Sequence, residues 1–204
     1  MARILLNLSG GIDSAYCMYD ALRRGERLLV HHIRLTNHEG RQQLEHRAVK
    51  KIRAYIDAQK LPGSYTYLES GYDHGSLGWI PKDAAIWSFM TGVVLANPKH
   101  HDITEVIVPR HVDAFGHESD PAAGARRSDA YIRAFVKAVA RRDVTILTPI
   151  GHLRKAAVMR ACPPELLRLC WWCRTPRAGG RACHRCITCK VVDPVLAELR
   201  RNPA

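Results

Sequence analysis

No apolar run in this sequence approaches the roughly eighteen residues that a membrane-spanning helix needs, which excludes a transmembrane protein. The N-terminus, Met1-Ala2-Arg3-Ile4-Leu5-Leu6-Asn7-Leu8, has too short an apolar stretch for a secretory leader and lacks a cleavage pattern, so the expected compartment is the cytoplasm. There is no internal repeat and no low-complexity linker. Acidic residues are scarce, 19 against 31 Lys and Arg, for a formal charge of +12. With 47% hydrophobic and 25% charged residues, the 204-residue chain is globular and not disordered. It is long enough to bury a core without disulfides, so its seven cysteines point to metal or catalysis in a reducing compartment.

The charge is uneven. Residues 1–150 hold 20 basic and 16 acidic side chains, whereas residues 151–204 hold 11 and 3. Such a tail suits a nucleic acid, an anion-binding face or a simple arginine bias, and charge alone does not choose among them.

Residues 3–8 are apolar and end at Ser-Gly-Gly, which reads as a buried strand. Helical spacing of Tyr16, Met18, Tyr19 and Leu22 predicts a helix over 15–24, stopped by Gly25. Further strands are expected at 27–33, 65–68, 105–109 and 144–147, and further helices at 40–59, 84–95, 128–141 and around 194–201. Alternating strands and helices imply a five-stranded parallel, doubly wound α/β sheet, with ligands at the carboxyl ends of the strands. After Pro149 the pattern gives way to a Cys- and Arg-rich segment, so 1–150 and 151–204 are read as two units.

Between the first strand and first helix lies Ser9-Gly10-Gly11-Ile12-Asp13-Ser14. The glycines allow a sharp turn and close ligand approach, and Ser14 and the helix-start amides can donate to an anion. Asp13 makes sense beside phosphates only if Mg²⁺ bridges them. The loop is neither GxGxxG nor GxxxxGK[ST], so the dinucleotide and Walker readings fail. Cys173, Cys183, Cys186 and Cys189 form C-x9-C-x2-C-x2-C, a spacing that brings four thiolates onto one tetrahedral Zn²⁺ with no open position. Cys170 stands close enough to replace one ligand, while Cys17 and Cys162 read as small buried side chains.

SGGxDS resembles the pyrophosphate loop of the N-type ATP pyrophosphatases, whose HUP-like members split ATP between the α- and β-phosphates and adenylate an oxygen of a substrate. Together with the C-terminal cysteines, over almost the whole chain, it resembles the 7-cyano-7-deazaguanine synthase (QueC) family. The family's T-W-S-C and C-G-x-C-x-x-C stretches correspond to Cys170-Trp171-Trp172-Cys173 and Cys183-His184-Arg185-Cys186-Ile187-Thr188-Cys189. Its lysine corresponds to Lys155, and its Q-R-H-x-x-E-x-x-A segment is echoed by Arg41-Gln42-Gln43-Leu44-Glu45-His46-Arg47-Ala48.

The resemblance implies conversion of 7-carboxy-7-deazaguanine, ammonia and ATP to a nitrile through an adenylate and an amide. It places Ser9, Gly10, Gly11, Asp13 and Ser14 around the ATP phosphates, Asp13 and Lys155 in catalysis, and Arg127 and Trp171 on the substrate. It leaves Cys170 outside the zinc site and implies a homodimer. Two segments depart from the family: P-x-R-N is Pro81-Lys82-Asp83-Ala84 here, and the aspartate with C-R-P-E-F is replaced by 125–131, leaving Arg127 as the equivalent. The substrate half therefore transfers less well than the ATP half.

His31, His32, His111, Asp113 and His117 fall at the ligand edge of the sheet, where histidine suits proton transfer, although packing or solvated-loop roles compete. Trp79, Trp87, Trp171 and Trp172 could stack a purine-like ring, with Trp87 also reading as core. Alternatives are a QueC-like variant that stops at the amide or conjugates the deazaguanine to a protein amine, an ATP-dependent tRNA-modifying enzyme, and a nonenzymatic zinc module. The tRNA reading lacks room for a separate RNA-binding domain and lacks the thiolases' catalytic cysteine pattern. The zinc module leaves residues 9–14 unexplained.

Overall fold

The computed structural model describes residues 3–77, 83–115 and 120–201. Strands β1 (Arg3–Asn7), β2 (Arg27–Thr36), β3 (Ser64–Asp73), β4 (Ile103–Ile107) and β5 (Thr145–Leu147) form one parallel sheet in the order β3-β2-β1-β4-β5. Side chains alternate across it. Ile4, Leu6, Leu28 and Val30 face helices α1 (Ile12–Arg23) and α2 (Gln42–Ala58), packing against Met18 and Ile52. Leu5, Leu29 and Val106 face helices α3 (Asp83–Ala96) and α4 (Pro121–Ala140), packing against Leu95 and Ile132. Gly92 lets α3 and α4 approach closely, since a Cβ there would stand 2.9 Å from the Phe135 carbonyl oxygen.

Helices α5 (Lys155–Ala161), α6 (Pro164–Leu169) and α7 (Ile187–Arg201) follow β5. Their Val158, Leu166 and Val192 join the core under α1 and α2, while Cys173, Cys183 and Cys189 make a separate small cluster. The order of strands reverses beside β1, where the chain leaves β1 towards β2 and leaves β4 towards β5, in opposite directions. That switch opens a crevice at the carboxyl ends of β1 and β4.

The fold class agrees with the sequence reading, and several boundaries move. Strands β2 and β3 run to Thr36 and Asp73, paired over ten residues each, where the apolar runs suggested ends near 33 and 68. Their last turns alternate polar and apolar side chains because one face is half solvated. Helix α4 begins at Pro121 and not at 128, because Asp120 caps it by accepting from the Ala123 amide at 2.9 Å. Helix α7 begins at Ile187 and continues through Pro194, which removes one donor. Helices α5 and α6, seven and six residues long, are too short to show a period in sequence. Trp79, Pro81, Lys82 and His117 lie outside the described residues.

Candidate active site

The phosphate-type loop sits at the crevice. Gly10 has φ +83°, and a Cβ there would come within 2.7 Å of the Glu45 carbonyl oxygen, so only glycine fits. Gly11 caps α1 with no side-chain hydrogen bond. The helix's first closing bond is Ala15 N–H to Gly11 O, 3.1 Å, which leaves the preceding amides without intrahelical acceptors. Ser14 ties the loop together. Its hydroxyl donates to Gly11 O at 3.1 Å, accepts from Ser9 N at 3.2 Å and lies 3.1 Å from Ser9 Oγ. An uncapped helix start on a fixed loop is an anion receptor.

Lys155, the first residue of α5, is 6% exposed. Its Nζ donates to Asp13 Oδ1 at 2.7 Å, and its backbone N–H donates to Asp113 Oδ2 at 3.0 Å. Asp13 Oδ2 has His111 Nε2 at 3.9 Å. Burial holds the His111 pKa below the ordinary range, against the pull of Asp13. Asp13, His111 and Lys155 line a cavity of about 430 Å³ that runs along the sheet edge to the C-terminal segment.

Trp171 closes one side. Its backbone N–H donates to Gly10 O at 2.9 Å, and its indole donates to Cys173 O at 2.8 Å. Trp172 stacks beside it, with centroids 6.4 Å apart and planes 26° from parallel. The other wall is an ion network. Arg41 pairs with Glu45 at 2.9 Å and Asp83 at 2.6 Å, and Arg174 pairs with Glu39 at 2.8 Å. Burial pushes the Glu45 carboxyl up to about 7, although Arg41 opposes the shift.

The four cysteine sulfurs Cys173, Cys183, Cys186 and Cys189 all lie within 4.8 Å of one another. Cys183 Sγ and Cys189 Sγ are 4.0 Å apart, close to the ~3.8 Å edge of a tetrahedron built on a 2.3 Å Zn–S bond. Cys183 Sγ accepts from the Thr175 hydroxyl at 3.3 Å and from the Arg185 and Cys186 amides. These donors hold the Cys183 thiol below its usual range, while burial pushes the Cys173 and Cys189 thiols up. The donor set fits one thiophilic ion. A cubane cluster would force the thiolates further apart.

The structure gathers Ser9, Gly10, Gly11, Asp13, Ser14, Lys155 and Trp171 at one crevice and brings the four cysteines together. Cys170 is buried away from that cluster, its thiol on Leu166 O, and Cys17 and Cys162 are buried as well. Arg127 stands exposed on α4, whose cavity-lining residue among those described is Ser128. His31 and His111 line the cavity, as do Trp87 and Trp172. His32 points to the opposite face, bonded to Leu8 O and stacked on His46, a packing role. Sequence reasoning missed Arg110, which lines the cavity and is held by Asp129 at 2.7 and 3.2 Å. Its position just beyond the fourth strand was the available signal.

The sheet order and the loop at its switch point define a HUP-type α/β fold. No protein-family model and no curated protein matches the sequence. Among solved structures the chain resembles the U34-tRNA thiolase NcsA from Methanococcus maripaludis, determined with its [4Fe-4S] cluster. Identity is 14% and the TM-score 0.52, over 98% of this chain and 67% of that one. It also matches NMN synthetase from Francisella tularensis, with 13% identity and a TM-score of 0.48, over 97% of this chain and 77% of that one. At these identities the likeness is one of fold.

Proposed function

We propose that the protein is an ATP-dependent adenylating enzyme that activates the carboxylate of 7-carboxy-7-deazaguanine and passes it to ammonia. The observation that carries the reading is the bond from Trp171 N–H to Gly10 O, 2.9 Å, which joins the cysteine segment to the phosphate-type loop over one cavity. A nucleotide loop and an aromatic wall sharing a cavity suit a reaction between ATP and a flat acid.

The uncapped start of α1, Ser9, Ser14 and Lys155 would bind the pyrophosphate end of ATP. Asp13, a cavity-lining carboxylate with one oxygen on Lys155, would hold Mg²⁺, which when bound neutralises phosphate charge. A carboxylate oxygen of the acid attacks the α-phosphorus, and pyrophosphate leaves with the electrons of the broken P–O bond. Lys155 stabilises the charge that develops there. Ammonia then attacks the acyl carbon and AMP departs, leaving an amide after loss of a proton. A second activation, at the amide oxygen, followed by loss of AMP and the two N–H protons, gives the nitrile. The cysteine site would hold one Zn²⁺ and keep the Trp171 wall in place.

Termination at the amide, or transfer to a protein amine, is the second reading. Asp83 and Ala84 line the cavity where the family carries Arg-Asn, and Asp83 is held by Arg41 and Arg174. Mass spectrometry of reactions with ATP and 7-carboxy-7-deazaguanine, with and without ammonium, tests the readings. Nitrile or amide with AMP supports the first step. A stable adenylate untouched by ammonium supports conjugation. No AMP with this acid, but AMP with tRNA, moves the assignment to tRNA modification.

A further inference from the structure

Asn7 and His31 are register partners on the adjacent strands β1 and β2, and both line the cavity on the α3 face of the sheet. Asn7 Nδ2 donates to Thr91 Oγ1 at 2.8 Å. The single Thr91 hydroxyl proton goes to Trp87 O at 2.7 Å, so Thr91 must accept from Asn7, and this fixes the amide with Oδ1 turned away. That oxygen is buried and has no hydrogen-bond partner. His31 is fully buried, with Nε2 2.8 Å from Ser70 Oγ and Nδ1 buried without a partner. Burial holds the imidazole pKa down at about 4, so the ring is neutral near pH 7. When Ser70 donates to Nε2, the neutral ring carries its proton on Nδ1. An acceptor and a donor then stand unmade and buried on neighbouring strands, each on a residue that lines the cavity. Buried polar groups are normally paired, so both atoms lack an expected partner.

We propose that Asn7 Oδ1 and His31 Nδ1–H form a recognition floor for the lactam edge of a purine-like ring, Asn7 accepting its ring N–H and His31 donating to the adjacent carbonyl. Ile33, Ile86 and Trp87 line the same cavity and suit the flat apolar faces of such a ring. The inference rests on the activation reading above in assigning that ring to the acceptor acid and not to ATP. The loop leads into α1 on the opposite face of the sheet, and in-line attack at phosphorus brings the acid from the side opposite the leaving pyrophosphate. The proposal places the acid on the α3 face. The amine edge of adenine offers an adjacent donor and acceptor in the reverse order and meets the same pair with the ring turned over, so the test separates the two rings.

The test measures equilibrium binding of 7-deazaguanine, the ring without its carboxylate, and of α,β-methylene-ATP, to wild type, Asn7→Leu and Thr91→Val by calorimetry. Leucine keeps the volume and removes the acceptor. Valine removes only the group that orients the amide, and it carries the test if circular dichroism shows Asn7→Leu unfolded. The expected result is at least tenfold weaker ring binding in Asn7→Leu, about threefold weaker in Thr91→Val, and unchanged nucleotide binding in both. Unchanged ring binding, no ring binding by wild type, or a parallel loss of nucleotide binding overturns the proposal. AMP formation from 7-carboxy-7-deazaguanine is assayed separately. Asn7-dependent ring binding without AMP leaves this floor standing and removes the activation reading, and AMP with Asn7-independent ring binding does the reverse.

Discussion

Lys155 Nζ donates to Asp13 Oδ1 at 2.7 Å across 142 residues of sequence, joining the start of α5 to the start of α1 at the mouth of the cavity. The pair leaves an ammonium, 6% exposed as a residue, neutralised by one carboxylate. Lys155→Met should keep the fold, because methionine fills the same space and the Asp13 carboxylate it leaves unpaired is 24% exposed to water. Pyrophosphate release should fall by roughly 10²–10³, the usual cost of losing one preorganised charge-stabilising donor. A coupled pyrophosphate assay on the folded variant checks this, and a wild-type rate removes Lys155 from the chemistry.

Gly10→Ala should damage the loop more than any surface change. The residue sits at φ +83°, and the added methyl would meet the Glu45 carbonyl oxygen at 2.7 Å. Backbone strain of this kind costs roughly 1–3 kcal/mol, and shifting α2 would add to it. The melting temperature should drop by several degrees, and AMP formation should fall at least tenfold at saturating ATP. Calorimetry and an AMP assay on the same preparation test both.

These two residues also show what was legible in sequence. The loop announced itself because two glycines and a helix start form a contiguous signal. The cysteine site did too, because thiolate spacing constrains geometry directly. Arg110 and the hydrogen bond between Asn7 and Thr91 did not, since each depends on which strand lies next to which and on which face a side chain leaves. Arg127, selected by a motif match, stands on the exposed side of α4. Helices α5 and α6 were illegible because tertiary burial of Val158 and Leu166, and no periodicity, holds them.

The metal should be one zinc per chain, with no stoichiometric iron. Four sulfurs within 4.8 Å of one another suit a single ion. Cys186→Ser should lower zinc content and melting temperature together, because a structural metal contributes its binding energy to folding. Elemental analysis of anaerobically purified protein tests this. Four irons per chain would replace the zinc assignment with a cluster.

Glu45 should leave a pH signature in stability. Burial raises its carboxyl from the ordinary range to about 7, and Asp83 and Glu39 add to the shift that Arg41 opposes. Between about pH 4.5 and 7 the folded chain keeps a proton that the unfolded chain releases, so stability falls as pH rises through that window. Glu45→Gln should remove this loss. Its melting temperature relative to wild type should climb from pH 4.5 to 7 and level off above, at about 2–4 °C for each kcal/mol. A pH series of thermal melts reads the difference, and a pH-independent gap refutes the assignment.

On the proposed activation reading, the wall that carries Asp83 and Ala84 should set the partition between amide and nitrile. Amide formation needs one activation and one attacking amine. Nitrile formation needs the amide to stay bound while a second ATP enters the same loop, so it depends more steeply on how tightly the cavity grips the ring. Asp83 is tied to Arg41 at 2.6 Å and to Arg174 at 3.5 Å, so one of its oxygens serves the wall, and Ala84 offers no hydrogen bond from its side chain. Each hydrogen bond that the wall withholds from the substrate costs roughly 1–3 kcal/mol where a buried partner goes unsatisfied. The uncharged amide also forgoes the attraction of Lys155 for a carboxylate. Free amide should therefore accumulate before nitrile, with close to one AMP per product early in the reaction. A quenched time course by mass spectrometry, with AMP counted in parallel, measures the ratio. Two AMP per product from the first turnover, with nitrile and no released amide, would mean that the wall retains the amide as firmly as the acid.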